Sequence, residues 1–310
     1  MKNYLKISNS TNKHFKMKNK KSLLKNLIFT FAFLGTLSFS QNNKVNASTS
    51  PVCKDPSTTT ITSIADGGDS TSFYTLHSGG FCRGTPDSYG VTVYKMGFCT
   101  KNPGNPTGSS VLAGSTPDYS SCSWTYENSS GEAASFASGG SFDLSDTYAS
   151  DPAVGTYPYA VMLIGKDFLI KGKYGPVGGK TFYSTTTFES SSNDIADYAT
   201  TTAPLDSFGG PGNCTAYTED ESVDGGTISA YLLNSSGTML VNNSSISECS
   251  GHEKLLGVMN MSSNLIITEA TKGLKMTFTV TNNGMSVVTN ETGTDIFMDS
   301  GPFSVKFDTF

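Results

Sequence analysis

The run Thr156–Ile164 (TYPYAVMLI) constrains this chain most. Alternation puts Tyr157, Tyr159, Val161 and Leu163 on one side and Ala160, Met162 and Ile164 on the other. A strand that is apolar on both sides needs cover on both faces. It belongs inside a sheet or between layers, not at an edge. Gly165-Lys166-Asp167 reads as a turn and Phe168–Lys173 as a returning strand, so the sequence predicts a hairpin over Gly155–Tyr174. Pro158 has no N–H to give a ladder and fits only near the strand's start or at a bulge.

Where such a strand would live is set by the first 47 residues. They hold nine Lys and no acid. Lys18, Lys20, Lys21 and Lys25 form a basic stretch, Leu27–Phe39 an apolar one, and Val45-Asn46-Ala47 a small-residue cleavage pattern. This order is that of an export leader cut after Ala47, and a start at Met17 would make it more compact. Leu27–Phe39 is shorter than the roughly 20 apolar residues that a membrane-crossing helix needs. No lipid-attachment pattern precedes Cys53. Removing the leader leaves 12 of the 21 bases against all 26 acids, a net charge of −14, with Arg83 the one arginine. Nucleic-acid binding needs a clustered basic face, and this composition offers none.

Export turns six cysteines into a bridge framework: Cys53, Cys82, Cys99, Cys122, Cys214 and Cys249. Cys99 and Cys122 end and begin successive predicted strands, so a bridge between them is expected. A domain boundary near residue 200 would pair Cys214 with Cys249 and leave three pairings open among the other four.

Short strands with turn signals recur along the chain. Tyr119–Glu127 alternates so that Cys122, Trp124 and Tyr126 face inward. Strands are expected at Thr58–Ile64, Thr71–His77, Gly90–Cys99 and Lys180–Glu189, and, after a Ser/Thr/Gly-rich stretch, at Thr227–Leu233, Lys254–Met259, Asn264–Thr268, Gly273–Thr281 and Met285–Thr289. The pattern is that of an all-β antiparallel sandwich. The expected organisation is a leader (1–47), one sandwich domain (48–189), a linker (190–213) and a second sandwich domain (214–310). Val154-Gly155-Thr156-Tyr157, followed by alternating apolar residues, resembles the strand entry of prealbumin-like sandwich modules of secreted and surface proteins. That resemblance implies a fold type and carries no functional residue across.

Chemistry-bearing patterns are few. There is no G-x-S-x-G. Gly68-Asp69-Ser70-Thr71 is similar to the nucleophile block of the GDSL-type esterases, but the Asp-x-x-His that family needs is missing: Cys249 stands three before His252. His77 with Cys82, and Cys249 with His252, have zinc-like spacing, yet oxidised cysteines offer no thiolate. Asp220, Ser222 and Asp224, followed by Gly225, match the first positions of a calcium loop, but Tyr231 stands where the bidentate Glu belongs. A weak calcium site is weighed there against a solvated acidic turn. The chain ends in Phe310, as outer-membrane barrels do, but out of phase with Phe303, Val305 and Phe307.

The sequence therefore predicts a secreted, non-catalytic structural or cell-surface interaction protein: a filament or coat subunit, or an adhesin. Its expected partners are copies of itself, other surface proteins or glycans. A filament subunit should lend a strand, from Ser48–Ser57 or from the segment bearing Phe303, Val305 and Phe307. A module that binds glycans or small ligands is the alternative, and a glycan binder should show exposed aromatics clustered on one loop end. A secreted hydrolase ranks third.

Overall fold

In a computed structural model, described are residues 8–9 and, between 51 and 309, all but 78–79, 138–146, 148–149, 189, 210–212, 224, 247–248, 272–273 and 290–292. The described strands are β1 (Ser8–Asn9), β2 (Phe81–Gly84), β3 (Ser88–Cys99), β4 (Cys122–Ala137), β5 (Gly155–Gly165), β6 (Asp167–Lys171), β7 (Lys173–Val177), β8 (Lys180–Ser184), β9 (Ser191–Ser192), β10 (Thr201–Pro204), β11 (Tyr217–Val223), β12 (Gly226–Asn234), β13 (His252–Ile267), β14 (Leu274–Thr279), β15 (Met285–Thr289), β16 (Ile296–Ser300) and β17 (Ser304–Thr309). The fold is all-β, with one four-residue helix, Phe73–Leu76, among the described residues.

β5 lies in the interior of an eight-stranded sheet, between β3 and β13, as its two apolar sides require. The expected hairpin is not there. β5 and β6 do not pair with each other; both run antiparallel to β3, β5 along Val93–Cys99 and β6 along Ser88–Gly90. Gly165–Asp167 is thus a kink in one long strand, and the bend lets β6 take β10 as its other neighbour while β5 takes β13. Pro158 sits where the β5–β13 register breaks, between the Asn260–Tyr159 and Leu265–Tyr157 pairs.

The division into two sandwich domains joined by a linker also needs correction. β12 and β13, from the expected second domain, continue the sheet that β3 and β5 begin. β15 pairs with β2 from the expected first domain. Thr201–Pro204, inside the expected linker, is strand β10. The strands expected at Gly273–Thr281 and Met285–Thr289, although joined by the turn-prone Asn282-Asn283-Gly284, do not pair with each other: β14 pairs with β17, while β15 pairs with β16 and β2. One apolar core joins the eight-stranded sheet (Phe98, Ala160, Met162, Leu255), the β2–β15–β16 sheet (Cys82, Val287, Met298) and the β7–β8–β9 sheet (Tyr174, Phe182).

The three bridges are Cys53–Cys82, Cys99–Cys122 and Cys214–Cys249. The second and third are the expected ones. The stretch 58–77, read as two strands, is instead turns, a single bridge at Ile61, and the short helix. Ser72 caps that helix by accepting from Thr75 N–H at 3.1 Å, and Phe73 anchors it in the core.

A candidate recognition face and its recess

The sheet's other face carries a second apolar cluster, in which Cys99, Val161, Leu163, Tyr231, Leu256 and Val258 are buried. Tyr94, Tyr119, Trp124, Tyr159 and Tyr217 pack around it and stay half-buried. Trp124 was expected in the core beside Tyr126. A bulge prevents this: Trp124 pairs with Gly97 and Tyr126 with Met96, so Thr125 is the extra residue. Tyr126 therefore points to the inner core, fully buried, and Trp124 points to the outer face. Its ring lies 5.2 Å from Tyr119's, edge to face, and Lys95 Nζ sits 5.2 Å from it while pairing with Glu127 at 2.6 Å.

The loop between β3 and β4, anchored at both ends by Cys99–Cys122, folds over part of this face. Gly104 makes that possible: a Cβ there would lie 2.5 Å from two ring carbons of Tyr231. Asn102 holds the bend. Its Oδ1 accepts from Gly104 N–H (2.9 Å) and Asn105 N–H (3.3 Å), and its Nδ2 donates to Tyr231 OH (3.0 Å). Burial raises the Tyr231 phenol well above its ordinary pKa, so it stays protonated and can accept that bond. Asn105 is fixed from both ends: Oδ1 accepts from Ser110 N–H (3.1 Å) and Nδ2 donates to Glu219 Oε1 (2.9 Å). Gly114 and Ser115 complete the cover by exchanging backbone bonds with Met239, both 3.0 Å.

Where this loop meets β5 and β11–β13 there is a recess of about 90 Å³. Tyr159, Asn105, Glu219, Asp220 and Asn260 wall it, over Val258. Asp220 lies at the register shift between Thr218 and Glu221, with φ of +53°, a left-handed conformation that aspartate tolerates better than most residues. Among the described residues its carboxylate accepts no hydrogen bond.

The residues singled out from sequence fall as follows. Asp220 and Ser222 belong to strand β11, at the edge of the eight-stranded sheet, and not to a turn. Asp224 lies outside the described residues. The acidic run Glu219–Glu221 sits at a bulge on a strand that is the sheet's edge among the described residues, and charges and bulges keep such edges from pairing with other chains. Both proposed donor segments are already engaged. β17 pairs with β14, with Phe303 fully buried just before it at 5.8 Å from Tyr89; the side chains of Val305 and Phe307 lie outside the described ones. The arm runs parallel to β2 through Val52 and Arg83, and β1, within the expected leader, lies parallel to β14.

Both histidines with zinc-like spacing are held inside the fold. His77 Nε2 accepts from Lys54 N–H at 2.9 Å, so Nδ1 carries the proton and donates to Phe73 O at 3.0 Å. His252 Nε2 donates to Leu205 O at 2.8 Å and lies 3.4 Å from Asp206. Ser70, in the esterase-like block, is exposed in a turn that Asp69 organises by accepting from Thr71 N–H (2.9 Å) and its hydroxyl (2.7 Å).

A larger cleft of about 490 Å³ opens between the β7–β8 turn, β9 and the loop before β16. There the Ser191 hydroxyl is shared between Asp295 and Ile296 O, and Lys180 and Asn193 line the same cleft. The recess is the cavity that adjoins the aromatic face, with Tyr159 in its wall. Sequence reasoning missed it because its walls come from the β3–β4 loop and from β5, β11, β12 and β13, which only the sheet pairing brings together. The chain matches no protein-family model, no curated protein and no solved structure. What the fold defines is an all-β, disulfide-bridged scaffold with one aromatic-rich face.

Proposed function

We propose that this is an exported, non-catalytic surface-interaction protein that engages its partner through the outer face of the eight-stranded sheet. One observation carries the reading. Five half-buried aromatic rings share that face with a recess whose carboxylates and amides keep unused hydrogen-bonding capacity. Half-exposed rings beside open polar groups are what binding surfaces on rigid scaffolds present. Three disulfides fit an oxidising, extracellular setting. No helix among the described residues is long and apolar enough to cross a membrane. The strand pairings of β17 and the arm weigh against donation of either segment to a neighbour in a filament.

The test is retention on the surface of the producing cells. Labelled mature protein is applied and washed, and wild type is compared with Tyr159→Ala and with Ile195→Ala, the latter 69% exposed on a remote turn. Loss of one ring's contact should lower the apparent affinity about tenfold for Tyr159→Ala, with Ile195→Ala unchanged. Equal retention of all three proteins, or no retention of wild type, would contradict the reading.

A further inference from the structure

Resting on that reading, we propose that the recess binds the terminal residue of an uncharged saccharide. Charge decides first. No basic side chain lines the recess, while two carboxylates do, so sulfated, phosphorylated and uronic sugars are repelled. Hydrogen-bonding capacity decides next. The Asp220 carboxylate, Glu219 Oε2 and the Asn260 amide make no hydrogen bond among the described residues; the Asp220 and Asn260 groups each offer two polar positions in one plane, and Glu219 offers one. Neighbouring hydroxyls on a sugar ring offer donor–acceptor pairs at matching spacing. They can replace the water these groups now hold, whereas an apolar ligand would strand them. Tyr159 and Val258 give the complementary surface, an aromatic ring and a methyl floor against which the C–H face of a sugar can pack.

The wall is also prepared in advance. Asn102 makes three bonds and Asn105 two, so the loop side is already ordered before a ligand arrives. A water needs roughly 10–15 Å³ of such space, so about 90 Å³ exceeds what one or two waters fill and suits part of one ring, not an extended chain. The competing occupant is calcium. It takes about six to eight oxygen ligands, and among the described residues no three His, Cys, Asp or Glu side chains gather to hold a metal ion.

The experiment is binding of the mature protein to an array of immobilised neutral and acidic saccharides, with calcium and with EDTA. It is run beside the cell-retention assay on Asn105→Ala, Glu219→Gln and Tyr159→Ala, each first shown to melt as a folded protein. The expected result is binding to neutral terminal sugars, unaffected by EDTA and weakened about tenfold by Asn105→Ala through the lost positioning of Glu219. Preference for acidic sugars, binding untouched by all three substitutions, or binding of calcium alone would overturn it. So would silence on the whole array while cell retention still depends on Tyr159; that result leaves the recognition face standing and removes only the saccharide. Retention independent of Tyr159 removes the face itself.

Discussion

From β5, Tyr157, Ala160, Met162 and Ile164 point into a core shared by three sheets, whereas Tyr159, Val161 and Leu163 point to a face closed by one loop and Met239. Both sides are apolar, and the central residues of both are buried. They differ at the margin. The inner side is covered by the β2–β15–β16 and β7–β8–β9 sheets, which share its core. The outer side is sealed over its centre, at Val161, Tyr231, Leu256 and Val258, and its perimeter of aromatic rings stays half-open. Apolar area on a sheet thus does two things here: on one face it holds the fold together, and on the other it is partly left for something else to cover.

Substitutions on the two faces should separate stability from binding. The largest effects belong inside. Arg83, 2% exposed, donates to Ser286 and faces Asp299, itself 3% exposed. Burial pulls its pKa down to about 10, against the opposing pull of Asp299, so it stays charged at neutral pH. Arg83→Ala leaves a buried carboxylate without its counter-charge and should cost about 3–5 kcal/mol in urea unfolding. Phe98→Ala, at a fully buried position 5.8 Å from the Tyr157 ring, should cost about 3–5 kcal/mol by cavity formation.

Replacing both Cys99 and Cys122 by Ala comes next. It opens a loop closed across a separation of 23 residues and should cost about 3 kcal/mol. It also frees the ends of the loop that walls the recess, so retention on cells should fall with it. Gly104→Ala forces the loop off Tyr231 and should cost about 1–3 kcal/mol. Its binding loss should exceed that of inner substitutions that destabilise equally. Trp124→Ala, at a half-buried outer position, should change stability least, by about 1 kcal/mol, while still weakening binding. If it destabilises as much as Phe98→Ala, the two faces are not different in kind.

A pH titration near neutrality probes the inner side, through His77. Burial lowers the pKa of His77, with the Phe73 carbonyl pulling the other way. The unfolded chain therefore takes up the proton first. Stability from the neutral imidazole is complete above the unfolded pKa, about 6.5, and is lost as pH falls toward the folded value. Melting temperature should drop on acidification through that window, and the drop should be shallower in His77→Gln, whose baseline is lower because Lys54 N–H loses its acceptor. Asp206 adds a further loss at lower pH, since its bond to His252 and the nearby Lys166 hold its carboxyl below the usual range.

The class of fold was legible because period-two alternation and paired apolar sides are local signals. The Cys99–Cys122 bridge was legible because both residues stand at the ends of adjacent strands. Pairing partners were not. β5 and β6 look like a hairpin in sequence, and only the long β3, which lies along both, makes them a single kinked strand. The same holds for β14 and β15. Local turn chemistry at Asn282-Asn283-Gly284 shows that the chain turns, but not which sheet each arm joins. Trp124 was misplaced by one residue: the bulge at Thr125 reverses the sides of everything before it, and nothing in the alternating run announces it. The string 220–224 matches a calcium loop in spelling, but β-branched Val223 and the Thr227–Leu233 run beyond it draw 220–223 into an edge hairpin with β12.

The central claim is that the outer face recognises a partner and the inner face does not. Its most direct test is a paired measurement on Tyr159→Ala: retention on producing cells and melting temperature in the same buffer. The account predicts about a tenfold loss of apparent affinity with a melting temperature close to wild type. Full retention, or a loss of retention no larger than its loss of stability explains, would contradict it.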